Sequence, residues 1–256
     1  MAEIRFRRLA PEAILIAELL SWARQAQAYG TFLPLIVYRG HSSETWKLLP
    51  SLCRHKLPRE TLEHYEQQVI QKFRETMGLS SWNDMRVLAY ARHHGAPTRL
   101  LDWSRNVFAA LWFAVQDKTY DSDDGIVFRL WLHSPSTVVT LLVDVKSLDL
   151  SNIETPVVLF AAPAGVDRTA RQQSVFSLAK FEHQNAMRPL EEICAAEKPP
   201  LITKFSVPAK LKPELRRLLS DVGLDAFTLY GGPDFLGESL EAHLDLTGIE
   251  ISGPST

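Results

Sequence analysis

The segment LAYARHHGAPTRLLDWSRNVFAALWFAV, residues 88–115, contains most of the local signals in this sequence from which the fold can be predicted. Pro97 disfavours the helical region for Ala96, so a preceding helix is predicted to end near Gly95. Asp102 or Ser104 can cap a second helix, in which apolar residues recur at helical spacing over 107–114. The piece between the helices, residues 98–103, is predicted to be short and extended. It carries Arg99 and Asp102, so it holds either a ligand pocket or a buried ion pair. The simpler alternative is that these two residues pair with each other or with neighbouring charges.

A second cluster follows a short predicted strand at 35–38. It reads Tyr38-Arg39-Gly40-His41-Ser42-Ser43. A guanidinium at a strand end, followed by glycine, suits a bidentate grip on a pyrophosphate or carboxylate. The Ser42 hydroxyl can donate to a ribose or a phosphate. The alternative is that Arg39 pairs with a buried carboxylate such as Asp102.

Composition narrows the function classes. The 256 residues carry 28 basic and 30 acidic side chains, which argues against bulk electrostatic binding of duplex nucleic acid. Two cysteines without paired spacing predict neither a disulfide framework nor a zinc knuckle. The N-terminal stretch is interrupted by charges and predicts an amphipathic helix instead of a signal peptide. No apolar run is long enough for a membrane span, so a soluble, cytoplasmic protein is expected.

The order of elements predicts the fold class. Helices are predicted at 11–28, 60–77, from 83 or 84 to 93, and from 107 to about 116. Strands are predicted at 126–132, 138–143, 157–161, 175–178, 201–207 and 227–230, with late helices at 213–222 and 234–244. Helices followed mostly by strands indicate an α+β fold, with N-terminal helices packed on a mostly antiparallel sheet. The predicted organisation is a helical extension at 1–30, a domain at 31–246 and a tail at 247–256.

Other candidate residues permit more than one interpretation. His93 and His94 are adjacent on a helix and point about 100° apart, so a shared metal ion is not expected. His94 can hydrogen-bond either a ligand or the backbone. The loop at 168–174 carries basic and amide side chains that suit a ribose or base edge, although a solvated loop is equally consistent. Ser104 lacks the turn of a serine hydrolase, and no Rossmann or P-loop signature is present.

Together these motifs resemble the FRG domain family, named for an aromatic-Arg-Gly motif that is Tyr38-Arg39-Gly40 here. The block HHGAPTRLLDW at 93–103 is similar to the family pattern (Q)HxGxPTRLLDWT, with His93 in place of Gln and Ser104 in place of Thr. The 168–176 segment resembles the family's R…Q.G.F element, and 222–237 is similar to its C-terminal ending. The resemblance covers roughly residues 30–245.

The resemblance implies a distant relationship to ADP-ribosyltransferases, and hence a split-sheet fold that binds NAD. It implies that Arg39 holds the NAD phosphates, that 98–104 takes the place of a hydroxyl-bearing segment, and that 172–174 falls where an acidic pair is usual. Here that position reads Gln-Gln-Ser. A glutamine can hold a ribose hydroxyl but brings no negative charge to an oxocarbenium-like state. Asp102, Glu182 and Asp234 are the alternative carboxylates.

The resemblance thus implies an NAD-dependent ADP-ribosyltransferase whose acceptor is a macromolecule, with single-stranded DNA or RNA as a candidate. The alternative is a non-catalytic nucleotide- or partner-binding module. The catalytic residues predicted are Arg39, Asp102 and Gln172. The residues predicted to bind NAD are Tyr38, Arg39, Gly40, Ser42, His94, Gly95, Thr98, Arg99, Arg168 and Gln172.

Overall fold

A computed structural model describes residues 10–25, 35–55, 57–132, 136–142, 150, 153–161, 171–182, 187–232 and 235. Its helices are α1 (Pro11–Gln25), α2 (Arg59–Thr76), α3 (Asp84–His93), α4 (Val107–Val115), α5 (Leu190–Ile193), α6 (Lys212–Asp221) and α7 (Ala226–Tyr230). Its strands are β1 (Leu35–His41), β2 (Leu100–Ser104), β3 (Gly125–Leu132), β4 (Val139–Leu142), β5 (Val157–Ala161), β6 (Ser174–Ala179) and β7 (Ile202–Val207).

The described strands form one curled sheet in the order β4-β5-β6-β2-β1-β3-β7. The α+β class is confirmed. The sheet is mixed, which corrects the prediction of a mostly antiparallel sheet. Strands β4 and β5 pair in parallel, whereas the other pairings are antiparallel. The segment between β4 and β5, residues 143–156, is long enough for the crossover that a parallel pair requires.

The sheet opens between β1 and β2. These strands pair at a single position, Tyr38 with Ser104. By contrast, β1 pairs with β3 along its whole length, from Leu35 to His41. The backbone of β1 beyond Tyr38 therefore leaves β2, and a gap forms that side chains have to fill.

Alternation along the strands gives each half of the sheet an inner and an outer face. Val37 of β1, Phe128 of β3 and Leu159 of β5 belong to one shared inner core. On the outer face of β1, β3 and β7, helices α1, α4 and α6 pack in a second cluster. On the outer face of β2, β5 and β6, helices α2 and α3 pack in a third. The curl therefore lets the two halves enclose one core between them.

Helix α4 lies directly on β1 because β1 carries a glycine at the crossing. A Cβ atom placed on Gly40 would sit 1.8 Å from the carbonyl oxygen of Ala110. Gly125 at the start of β3 meets the Ala114 carbonyl oxygen in the same way, at 2.5 Å. These two glycines allow the backbone of α4 to approach the strands closely.

One predicted strand is wrong: residues 227–230 are helical and belong to α7. The Asp225 side chain accepts from the Thr228 backbone N–H at 2.8 Å, and the Thr228 hydroxyl is placed to accept from the Asp225 backbone N–H at 2.9 Å. This reciprocal cap starts a helix, and it outweighs the strand preference of an aromatic and β-branched run.

The remaining predictions differ from the structure mainly at element ends. Strand β1 continues to His41, three residues past the predicted end, because β3 supplies partners along its whole length. The predicted extended piece at 98–103 becomes β2, and the short helix α5 was not predicted. The predicted helix at 234–244 and the tail at 247–256 lie outside the described residues, apart from Phe235. None of the helices in the described part of the chain is long and apolar enough to cross a membrane.

Candidate active site

A cavity of about 380 Å³ opens where β1 and β2 separate. Its volume is within the range typical of small-molecule sites. Seven of the residues predicted to form the site line it: Tyr38, Arg39, Gly40, Ser42, Gly95, Asp102 and Gln172. The other lining residues are His41, Trp46, Arg54, Arg92, His93, Trp103, Ser104, Phe113, Gln116, Asp117 and Tyr230.

Arg39 spans the gap between the two strands. Its Nη1 donates to the Asp102 backbone carbonyl at 2.6 Å and lies 3.8 Å from the Asp102 carboxylate. Its Nε donates to His41 Nε2 at 3.0 Å. The guanidinium thus bridges β1 and β2 where backbone hydrogen bonds between these strands end. Its Nη2 has no hydrogen-bond partner among the described residues. Burial and the nearby cations Arg92 and Arg54 lower the Arg39 pKa to about 10, against the opposing effect of Asp102.

His41 is held in one neutral tautomer. Because its Nε2 accepts from Arg39, the ring proton is on Nδ1, which donates to the Trp46 carbonyl at 3.3 Å. Burial, helped by the positive charge of Arg39, lowers the His41 pKa to about 3. His41 therefore orients the Arg39 guanidinium without adding charge to the site.

Asp102 is shared between two arginines. Its Oδ2 accepts from Arg92 Nε at 2.9 Å and lies 2.8 Å from Arg92 Nη2. The same oxygen faces Arg39 across the gap. The predicted alternative in which Asp102 pairs with Arg99 is wrong, whereas the alternative of an Arg39–Asp102 pair is correct. The Asp102 negative charge is thus largely compensated by neighbouring guanidinium groups.

Arg54 is the third guanidinium on the cavity. Its Nε donates to the Leu49 carbonyl at 3.2 Å, and no carboxylate of the described residues pairs with it. Burial lowers its pKa, and so does the positive charge of Arg92. Arg39, Arg54 and Arg92 line the cavity together, and one carboxylate, Asp102, contacts Arg39 and Arg92. The described residues thus give this cluster excess positive charge, which suits an anion.

Amide and aromatic side chains form another wall of the cavity, here called the amide and aromatic wall. Gln172 Nε2 donates to the Leu229 backbone carbonyl at 3.1 Å, and Ser104 Oγ donates to the Gln172 backbone carbonyl at 2.7 Å. The Gln172 side-chain oxygen therefore stays available as an acceptor. Tyr230 Oη donates to Gln116 Oε1 at 3.3 Å, which leaves the Gln116 amide as a donor. This wall offers neutral donors and acceptors beside the aromatic surfaces of Phe113 and Tyr230.

Three residues predicted to bind NAD do not line the cavity. Thr98 is fully buried. Arg99 is also buried and forms a bidentate pair with Glu66, Nε to Oε1 at 2.9 Å and Nη2 to Oε2 at 2.8 Å. His94 borders a separate surface groove and packs on the Tyr90 ring. The TRLLDW block therefore divides its two charges, with Arg99 in the core and Asp102 at the cavity.

Other predicted positions fall away from the cavity or outside the described residues. Ser42 reaches it, but its hydroxyl donates to the Phe113 carbonyl at 3.1 Å. Glu182 pairs with Arg188 at 2.7 Å and is not among the lining residues. Arg168 and Asp234 lie outside the described residues, so their predicted roles stay predictions. No group of three or more potential metal ligands is present among the described residues.

Several lining residues were not predicted from the sequence. Arg92 lies one turn before the predicted turn at Gly95, and its charge beside the histidine pair was a usable signal. Arg54, Trp46 and Gln116 gave no local signal, because only the fold brings them to β1. Tyr230 was missed because its segment was predicted to be a strand.

Comparison with known proteins agrees with the central motifs. The family model of the FRG domain matches residues 35–123, a span from β1 to the turn after α4. No curated protein and no solved structure matches the chain. The matched span includes the aromatic-Arg-Gly motif and the HHGAPTRLLDW block, which the structure brings together at one cavity. Residues 35–123 of the chain are thus similar to the FRG domain.

Proposed function

We propose that this protein is an ADP-ribosyltransferase that binds NAD in the cavity between β1 and β2. The proposal depends on one observation: Arg39, Arg54 and Arg92 line the same cavity, while among the described residues a single carboxylate, Asp102, contacts two of them. Guanidinium groups bind phosphate oxygens in bidentate fashion, and a pyrophosphate brings the two negative charges that this cluster lacks. The amide and aromatic wall of the cavity suits the ribose and base parts of a dinucleotide.

The proposed reaction breaks the bond between the ribose C1′ and the nicotinamide nitrogen. The electron pair of that bond goes to the nicotinamide, which leaves as a neutral ring. The lone pair of an acceptor then forms a new bond to C1′, and the acceptor loses a proton. We propose a macromolecular acceptor, with a nucleic-acid base as the first candidate, in the cytoplasm where NAD is available.

Gln172 contributes by position and not by charge. Its amide hydrogen is engaged by the Leu229 carbonyl, so its Oε1 can accept from a ribose hydroxyl. An amide fixes the sugar but does not stabilise a developing positive charge as a carboxylate does.

Compensation of the Asp102 charge favours a second candidate function, binding without turnover. Two arginines face this carboxylate, and Gln172 is neutral. In this version the same cavity holds a nucleotide as a ligand and releases it unchanged. Nucleotide affinity is then present while nicotinamide release is not.

The test combines NAD titration calorimetry with incubation in radiolabelled NAD plus single-stranded DNA, RNA or protein. Arg54→Gln is the informative variant, since the one hydrogen bond that its side chain makes within the described residues is to the Leu49 carbonyl, and we therefore expect the variant to fold. Loss of one charge-assisted contact, about 1.5–3 kcal/mol, predicts NAD affinity weaker by roughly 10- to 100-fold.

The matched control is Arg188→Gln, an exposed arginine outside the cavity, which is expected to leave affinity unchanged. Transfer of label to any acceptor supports the transferase. Binding without transfer or nicotinamide release supports the second candidate. Absence of NAD binding by the wild type contradicts both.

A further inference from the structure

The proposed reaction needs a negative charge beside the ribose, and Gln172 stands at the position where the family resemblance implies a carboxylate. Two carboxylates line the cavity among the described residues, Asp102 and Asp117. Asp102 is compensated by Arg92 and Arg39. Asp117 makes its described contact to a neutral group, because its Oδ1 accepts from the Thr119 backbone N–H at 3.0 Å. In the described part of the chain, no lysine or arginine forms an ion pair with Asp117.

We propose that Asp117 is the carboxylate that stabilises positive charge at C1′ during transfer, an inference that rests on the proposed transferase function. It follows α4 directly and was not among the residues predicted from the sequence. A negative group is useful in this step only where its charge is not already neutralised. Asp117 meets that condition and Asp102 does not.

Several hydrogen bonds and an ion pair fasten the turn that carries Asp117 to α6, which favours the preorganised charge that this role requires. Arg216 of α6 donates to the Val115 carbonyl at the end of α4 at 2.6 Å, and its guanidinium forms a bidentate pair with Asp121. Lys212, fully buried, donates to the carbonyls of Tyr120 and Ser42. These contacts tie both ends of the 116–121 segment to α6, and through Ser42 to the end of β1.

The neighbours of Asp117 in the cavity also suit a ribose. The Gln116 side-chain oxygen accepts from the Tyr230 hydroxyl, and its amide N–H groups are left as donors. A donor and a carboxylate acceptor on adjacent residues match the hydroxyl groups of a sugar. In the reaction, Asp117 faces the ribose as the bond to nicotinamide breaks, and it takes up the proton that the acceptor loses.

The experiment compares Asp117→Asn with the wild type in nicotinamide release and in NAD affinity. Asparagine keeps an oxygen for the Thr119 cap, so the variant is expected to fold with an unchanged melting temperature. The expected result is a fall in kcat of about 100-fold or more, with NAD affinity unchanged or tighter. Asp117→Glu, which restores the charge, is expected to recover part of this loss.

Two comparison variants separate charge at the reacting centre from charge in general. Asp123→Asn removes the same charge from the same turn outside the cavity, and its kcat is expected to equal that of the wild type. Asp102→Asn, which frees Arg92 and Arg39, is expected to change NAD affinity more than kcat. Asp117→Asn turnover within threefold of an active wild type overturns this inference and leaves the transferase function standing. A wild type that binds NAD and never cleaves it overturns both.

Discussion

At the scale of single residues, the site depends on how each charge is matched. Arg39 is oriented by a neutral histidine, and Asp102 is divided between two arginines. Arg99 belongs to the same sequence motif as Asp102, but it forms an ion pair with Glu66 in the core. The charged residues of this motif are recognisable in the sequence, but pairing of Arg99 with Asp102, one of the predicted alternatives, is wrong. The correct partner lies on α2, 33 residues away, and no local pattern connects the two.

The neutral state of His41 predicts a pH dependence of stability. Its pKa is about 3 in the folded protein and about 6.5 when unfolded, so the unfolded chain binds more protons between these values. The stabilisation is complete above about pH 6.5 and is lost as the pH falls toward 3. Its slope is at most about 1.4 kcal/mol per pH unit. Urea unfolding of the wild type and of His41→Gln at several pH values measures this contribution.

In His41→Gln the amide oxygen can still accept from Arg39, and the group no longer titrates. We therefore expect a shallower loss of stability on acidification in this variant. His64→Gln, on the outer helix α2, is the control and is expected to keep the wild-type slope. Equal slopes in all three proteins would contradict the inference that His41 is held neutral.

At the scale of elements, the close contact of α4 with β1 positions the aromatic wall of the cavity. Sequence reasoning predicted α4 well because its apolar spacing and its cap are local features. It predicted α7 as a strand, since Phe227, Thr228 and Tyr230 favour strands, whereas the cap from Asp225 decides the outcome. The capping residues can be recognised in the sequence. The sequence does not show that their stabilisation of a helix exceeds the preference of the following residues for a strand.

Gly40→Ala tests the contact between α4 and β1. The new methyl group would lie 1.8 Å from a backbone carbonyl of α4, which cannot move as a flexible side chain can. Overpacking of this kind costs about 3 kcal/mol or more, so we expect a large loss of stability in chemical denaturation.

Gly223→Ala is the matched control, because φ is +77° there and no atom lies within 4 Å. Its left-handed backbone costs only about 1 kcal/mol. Equal destabilisation by the two variants would show that crowding at α4 is not the reason for Gly40.

At the scale of the whole molecule, the site is the product of sheet curvature. Tyr38-Arg39-Gly40 and the block at 93–103 were each recognisable in the sequence, and their meeting at one cavity agrees with the family resemblance. The mixed sheet, the single β1–β2 register position and the arrival of Arg54, Gln116 and Asp117 were not predictable. They depend on contacts between residues far apart in the chain, which periodicity and spacing do not encode.

The charge of the whole protein makes a last prediction possible. The chain has a formal net charge of −2, so any attraction for an anion comes from the local arginine cluster and not from the molecule as a whole. A ligand that binds only the folded state stabilises it by about 2.7 kcal/mol at 100 times its Kd, which corresponds to a rise in Tm of about 5–10 °C here.

ADP-ribose, with its pyrophosphate, is expected to give such a shift in differential scanning fluorimetry. Adenosine, which lacks phosphate, is expected to give a much smaller one at equal concentration. The ADP-ribose shift should shrink in Arg54→Gln and persist in Arg188→Gln, because only the first removes a cation from the cavity. A shift of equal size with adenosine and ADP-ribose would mean that the cluster does not recognise phosphate.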